Sequence, residues 1–309
     1  MTRSALFSGV AEREEPTPPG APGPGDRRRL ALVLVAGTVL TAVELVAGLV
    51  ARSLVLLADA AHYFTDLAAV SLALAASAWA LRPADARHSF GHARGGILAA
   101  FLNAILLWGI VALLVVEAYL RLRAPVGVDA PIVIAVGAGT LGANVGLAWF
   151  LRREAAGNLN VRAASLHLLS DGAGSAAAVA AGVVIYVWGF ALADPLATLA
   201  VAALIAVFAL RLSRETANIL MEGTPPGLDP AEVERSIREL PRVRSVHDLH
   251  LWTVGSGSDT MSVHVVLDAP PADDRVIHAV QELVRRRFRI RHATVQVEAP
   301  DCPCGIAAH

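Results

Sequence analysis

The sequence predicts a membrane-embedded, all-α domain of six helices followed by a small cytoplasmic α+β domain. Three observations carry that expectation. The 309-residue chain is 55% hydrophobic and only 17% charged, whereas a soluble domain carries about a quarter charged residues. Six apolar runs, near residues 30–50, 54–81, 95–120, 130–151, 163–188 and 193–212, each reach about 20 residues, enough to cross a hydrocarbon core. Beyond residue 214 the apolar runs give way to strand-like alternation and amphipathic helical stretches.

Residues 1–29 are rich in proline (Pro16, Pro18, Pro19, Pro22, Pro24) and lack apolar periodicity, so a disordered cytoplasmic tail is expected. The stretch is too long and too proline-rich for the n-region of a signal peptide. It ends in Arg27-Arg28-Arg29, and the transmembrane domain is expected over 30–214. Arginines fix its orientation. Arg27, Arg28, Arg29, Arg82, Arg87, Arg94, Arg152, Arg153, Arg162, Arg211 and Arg214 fall on one side. The opposite loops hold Arg52, Arg121 and Arg123. The positive-inside rule then places both termini in the cytoplasm, and an even number of spans requires the same result.

Residues 215–300 read as the soluble domain. Asp229-Pro230 supplies an N-cap and an N1 proline for a helix through Leu240. Residues 243–254 and 260–268 alternate around a Gly255-Ser256-Gly257-Ser258 turn. A second helix over 272–289 and a strand over 293–298 complete an αββαβ order, with both helices expected on one sheet face. A core of about eighty residues is only marginally stable alone, so a partner subunit or a bound metal is expected to support it. Residues 301–309 form a tail carrying both cysteines, Cys302 and Cys304. They are too close in sequence for an unstrained disulfide and read as chelating or incidental thiols in a reducing compartment.

Net charge is −1 and every basic side chain is arginine, a balance that favours no nucleic-acid partner. No G-x-x-x-x-G-K-[ST] stretch is present, so nucleotide-driven pumping has no visible engine.

The chemistry concentrates in two H-x-x-x-D spacings inside apolar runs: His62 and Asp66 in the second, His167 and Asp171 in the fifth. Four residues apart on a helix means one face, one turn apart. Ionisable side chains in a span are costly and mark function by default. Two such faces together offer two imidazoles and two carboxylates, a set suited to tetrahedral Zn²⁺; Ca²⁺ or Mg²⁺ would want more oxygens. The competing reading is polar glue between helices, which the repeated spacing and the added carboxylates disfavour. Asp59, three residues before His62, reads as accepting the other His62 ring N–H or capping the helix start. Glu44, Asn103 and Asn144 read as interhelical hydrogen-bonding groups, and the small residues of the fifth run permit close helix approach. A hydrolase reading is disfavoured because H-E-x-x-H is absent and four ligands would leave no open position. A membrane-anchored metal sensor is the remaining alternative.

Two further clusters stand outside the spans. Asp85, His88 and His92 crowd the loop after the second run. His247, His264, His278, His292 and Glu298 are scattered over the soluble domain, with Cys302 and Cys304 behind them. In strand 260–268, Met261, Val263, Val265 and Leu267 share one face and His264 lies on the other. In the preceding strand, His247 is expected to oppose a face made of Val246, Trp252 and Val254.

Six spans, paired H-x-x-x-D spacings in spans two and five and a following soluble domain resemble the cation diffusion facilitator family, over residues 30–304. The resemblance implies a zinc exporter exchanging Zn²⁺ for protons by alternating access, working as a homodimer in a bacterial cell membrane, and not an enzyme. It implies a ferredoxin-like or metallochaperone-like soluble domain. It further implies that His62, Asp66, His167 and Asp171 form the transport site. Asp85, His88 and His92 would be a loop metal site, and the soluble-domain histidines with Glu298 and the two cysteines would supply cytoplasmic ligands. Arg94 and Glu222 resemble the family's charge interlock. Where the family has a glutamate after the histidine-and-basic pair, this chain has Gly95-Gly96.

Overall fold

Six long helices precede a three-stranded sheet with two short helices in the computed structural model, which describes residues 24–80, 82, 85–154, 159–255, 258–269 and 274–299. The helices are α1 (Pro24–Ala51), α2 (Leu54–Ala80), α3 (Gly95–Arg123), α4 (Ala130–Glu154), α5 (Leu159–Trp188) and α6 (Ala193–Leu220). All six are long and apolar enough to cross a membrane. They match the six apolar runs to within a few residues, with two larger differences at the ends. Helix α1 begins at Pro24, inside the stretch expected to be disordered, because a proline with its fixed φ is well placed at a first helical position. Helix α6 continues to Leu220, past the apolar run, because its last turns are polar and need no membrane to remain helical.

The chain divides into two compact units: one reaches Tyr63 and resumes over 125–197, the other holds 64–124 and the chain from Thr198. In the first, α4 and α5 approach closely at glycines. A Cβ on Gly182 would stand 2.8 Å from Ile134, and one on Gly137 would stand 3.1 Å from Val179, so small residues set the separation. The Ser165 hydroxyl donates to the Ala148 carbonyl at 3.0 Å. The start of α2 is held from another helix. Buried Asp194 accepts from the Ser53 hydroxyl at 2.6 Å and from the Leu54 N–H at 2.8 Å. A carboxylate there complements the positive end of the helix dipole.

In the second unit, Trp108 of α3 donates its indole N–H to the Ser213 hydroxyl of α6 at 3.1 Å. The soluble part follows the expected αββαβ order: α7 (Pro230–Arg238), β1 (Val243–Gly255), β2 (Ser258–Leu267), α8 (Arg275–Phe288) and β3 (His292–Glu298). Asp229 caps α7 by accepting from the Ala231 N–H at 3.0 Å. The sheet order is β1-β2-β3, with β1 antiparallel and β3 parallel to β2. Met261, Val263, Val265 and Leu267 are buried against Val233 and Ile237 of α7 and Val276, Val280 and Val284 of α8. Both helices therefore cover one face of the sheet, as the alternation predicts.

Strand β1 departs from simple alternation. Its register passes from His247 opposite His264 to His250 opposite Ser262, so Asp248 and Leu249 oppose the single residue Val263. Asp248 takes φ +51°, the conformation of a bulge residue. One extra residue reverses every later side chain. Val246 and Leu251 consequently face the core, whereas Trp252 and Val254 line a cavity on the other face. The expectation that Val246, Trp252 and Val254 share one face is corrected: the bulge puts His247, His250 and Trp252 on the face away from the helices.

Candidate functional site

The membrane stripe is built by helical spacing alone. Asp59, His62 and Asp66 follow one another at three and four residues along α2, and His167 and Asp171 are one turn apart on α5. Asp171 is the hub. It is 3% exposed, and its Oδ1 stands 3.6 Å from His62 Nε2 and 3.8 Å from His167 Nδ1. Neither distance is a hydrogen bond, and Asp171 Oδ1 accepts none among the described residues. Zinc bonds of about 2.0–2.1 Å at tetrahedral angles place ligand atoms about 3.3–3.4 Å apart. The observed separations are within a few tenths of an ångström of that edge. His167 is the more open member, with its side chain half exposed. Asp66 extends the α2 stripe one turn past His62.

Asp59 does not play either role expected for it. The α2 start is capped by Ser53 and Asp194, and Asp59 Oδ1 accepts no hydrogen bond from His62 or any other described group. Its Oδ2 accepts from the Ser175 hydroxyl of α5 at 2.8 Å. Gly174 makes the room: a Cβ there would fall 2.1 Å from Asp59 Oδ1. Asn144 of α4 donates to the Tyr63 hydroxyl, the interhelical role expected of it. Ser175, Tyr63 and Asp194 were not singled out from sequence. Their significance lies in what faces them, and no spacing along the chain encodes that.

The loop cluster is local. Asp85 Oδ1 accepts from the N–H groups of Arg87 and His88, both at 2.8 Å, in a turn that folds the His88 ring back to 3.0 Å from the same oxygen. Those backbone N–H groups first, and the His88 ring after them, hold the Asp85 carboxyl below the usual carboxylate range. The His88 and His92 rings lie 4.5 Å apart, and one donor atom from each of Asp85, His88 and His92 falls within 4.8 Å of the others. Beside them Arg94 donates to Glu222 Oε1 at 2.8 Å. Glu222 leaves α6 with φ +58°, and the Gly223 N–H closes back on the Asn218 carbonyl, a common helix-terminating turn. Gly95 has a steric reason: a Cβ would stand 3.2 Å from Trp79 Cε3. This loop, Glu222 and the His250–Trp252 face of β1 enclose a cavity of about 660 Å³.

In the cytoplasmic domain three of the expected groups lie together. His247, His264 and Glu298 offer donor atoms within 4.8 Å of one another. The cross-strand pair places the two imidazoles side by side, and Glu298 Oε1 and Oε2 stand 2.9 Å from His264 Nδ1 and 3.4 Å from His247 Nε2. Neither nitrogen makes a hydrogen bond of acceptable geometry. Two imidazole nitrogens and a carboxylate converging with no hydrogen bond among them are a donor set that fits a cation. Asp248, which sequence reasoning overlooked, joins through the bulge: its Oδ2 is 3.4 Å from His264 Nε2. His278 stands exposed on α8, and His292 lies against Phe90 with ring centroids 6.3 Å apart. Neither belongs to the cluster. Cys302 and Cys304 lie outside the described residues.

The family model described as the cation efflux transmembrane domain matches residues 30–221, and that of the cation efflux protein cytoplasmic domain matches 225–300. The zinc transporter ZitB of Escherichia coli (strain K12) is 40% identical over 93% of this chain and 95% of its own length. The metal cation efflux system protein CzcD of Cupriavidus metallidurans is 38% identical over 93% of this chain and 91% of its own. The cadmium, cobalt and zinc/H(+)-K(+) antiporter of Bacillus subtilis (strain 168) is 31% identical, over 87% of each chain. A solved metal-bound C-terminal domain of the CzcD transporter is 39% identical, with a TM-score of 0.22, covering 23% of this chain and 99% of that one.

Proposed function

Because the chain belongs to the cation efflux family, as a multi-pass membrane protein that moves metal cations, we propose that it exports Zn²⁺ from the cytoplasm in exchange for protons. The observation that carries this reading is Asp171: a buried carboxylate oxygen set between two imidazole nitrogens and accepting no hydrogen bond among the described residues. Zn²⁺ is the cargo, with His62, Asp66, His167 and Asp171 as its four arms. Each arm holds metal only when deprotonated, so a proton arriving from outside competes for the same lone pair. Opened to the cytoplasm, neutral imidazoles and ionised carboxylates load the ion. Opened outward, protonation of the imidazoles releases it, and their return inward carries the protons. Both termini face the cytoplasm, by the excess of arginine on that side.

The soluble domain and the loop supply resident metal sites, His247–His264–Glu298 and Asp85–His88–His92. Two copies assemble as a dimer through the cytoplasmic domain, whose family model carries the designation of a dimerisation domain. Proton exchange is supported by the name borne by the Bacillus subtilis relative. In proteoliposomes an acid interior should drive zinc uptake through the wild type and not through Asp171→Ala. Uptake that ignores the pH gradient would overturn proton coupling, and uptake by the variant at the wild-type rate would overturn the site.

A further inference from the structure

We propose that the groove between the end of α2 and the start of α3 binds an anionic phospholipid, an acyl chain lying in the groove and the phosphate held by Arg82 and Arg87. The groove has a volume of about 600 Å³, and its walls include Leu72, Ala76 and Trp79 of α2 and Leu98 and Leu102 of α3. Those positions fall three, four or seven apart on each helix, so each helix turns one apolar stripe to the groove. A Cβ on Gly95 would stand 3.2 Å from Trp79 Cε3, so glycine there keeps the space beside the indole open. Both helices are long and apolar enough to cross a membrane, and Trp79, Leu98 and Leu102 are exposed on them. These side chains therefore meet hydrocarbon, and a tryptophan in the last turn of a span belongs to the membrane–water boundary.

Charge decides which lipid the groove takes. Arg82 lines the groove just beyond the end of α2. Arg87 lines the neighbouring loop cavity, which shares Trp79, Gly95 and Leu98 with the groove. Both arginines are exposed, and neither has a carboxylate partner among the described residues. Arg94 of the same cavity is instead neutralised by Glu222 at 2.8 Å. Two uncompensated guanidiniums beside an apolar groove match a phosphate diester carrying a hydrocarbon tail, because the guanidinium fork takes phosphate oxygens in pairs. Each basic side chain at an anionic lipid surface strengthens binding about fivefold. A second copy of this chain fits the groove less well. A two-fold contact presents the same patch twice, which would set the arginines against their twins and one hollow against another.

The test is fluorescence quenching of the full-length protein in phosphatidylcholine nanodiscs, titrated with phosphatidylglycerol or phosphatidylcholine brominated on the acyl chains. Trp79→Phe measured in parallel isolates the Trp79 emission by difference. Relative binding constants from that emission should favour phosphatidylglycerol about 25-fold in the wild type and about fivefold in Arg82→Gln or Arg87→Gln. The double variant should show no preference. Arg87→Gln keeps the backbone N–H that Asp85 accepts, so the loop turn survives the change. Excess inorganic phosphate should leave the quenching unchanged, since it has no chain to fill the groove; displacement by it would make the arginines a free-anion site and overturn the proposal. Equal constants for the two lipids in the wild type also overturn it. So does a Trp79 that neither lipid quenches, the result expected if a second copy covers the groove. If the arginine variants do not fold, the wild-type preference and its resistance to phosphate decide.

Discussion

Replacing Gly174 with alanine should destabilise the membrane domain, although alanine is the better helix former. The added Cβ would lie 2.1 Å from Asp59 Oδ1 and 2.9 Å from its Cγ, so the carboxylate must swing away. It has little freedom to do so, because it is fully buried and tied to Ser175 at 2.8 Å. Overpacking a tight site costs about 1–3 kcal/mol. Losing a hydrogen bond to a charged acceptor costs about 1.5–3 kcal/mol more, and alanine's helix propensity returns about 1 kcal/mol. The net expectation is a loss of about 3 kcal/mol. Gly139 of α4 is the control: nothing lies within 4 Å of its would-be Cβ, so Gly139→Ala should stabilise by about 0.5–1 kcal/mol. Denaturant unfolding of both variants in one detergent, followed by circular dichroism, measures the two changes. Equal shifts, or a Gly174→Ala protein as stable as wild type, would refute the close approach of α5 to Asp59.

Three further outcomes follow from the other clusters. His264→Ala should abolish one metal equivalent per full-length chain in calorimetric titration, while His278→Ala should leave the count unchanged, because His264 converges with His247 and Glu298 and His278 does not. The Asp85 carboxyl, held low by the Arg87 and His88 N–H groups, should keep its loop contacts above the ordinary carboxylate range and lose them only as pH falls through its lowered pKa. Asp85 carboxyl-¹³C shifts should therefore stay flat on acidification until the pH has fallen below the ordinary carboxylate range. The Arg94–Glu222 pair, at 36% and 62% side-chain exposure, should show a coupling of no more than about 1 kcal/mol in a double-mutant cycle that weakens with salt.

The sequence alone determined what depends on neighbours along the chain. Six apolar runs became six helices because a span must satisfy its own backbone within one segment. His62 with Asp66, and His167 with Asp171, shared faces because helical periodicity places residues four apart together. Asp85, His88 and His92 were legible for the same reason, being within eight residues of one another. Met261, Val263, Val265 and Leu267 declared the core face of their strand by alternation. Tertiary structure decided what depends on the opposite side of a contact. Glu44 reads as an interhelical hydrogen-bonding group, yet neither of its buried oxygens has a partner among the described residues, and Asp194 reaches the start of α2 from about 140 residues away. The bulge at Asp248 reversed Trp252 and left Asp248 Oδ2 3.4 Å from His264, since one inserted residue shifts a two-residue period and no pattern within the strand records the insertion. Periodicity is a property of one element, whereas a buried acid, a close glycine or a bulge takes its meaning from the element packed against it.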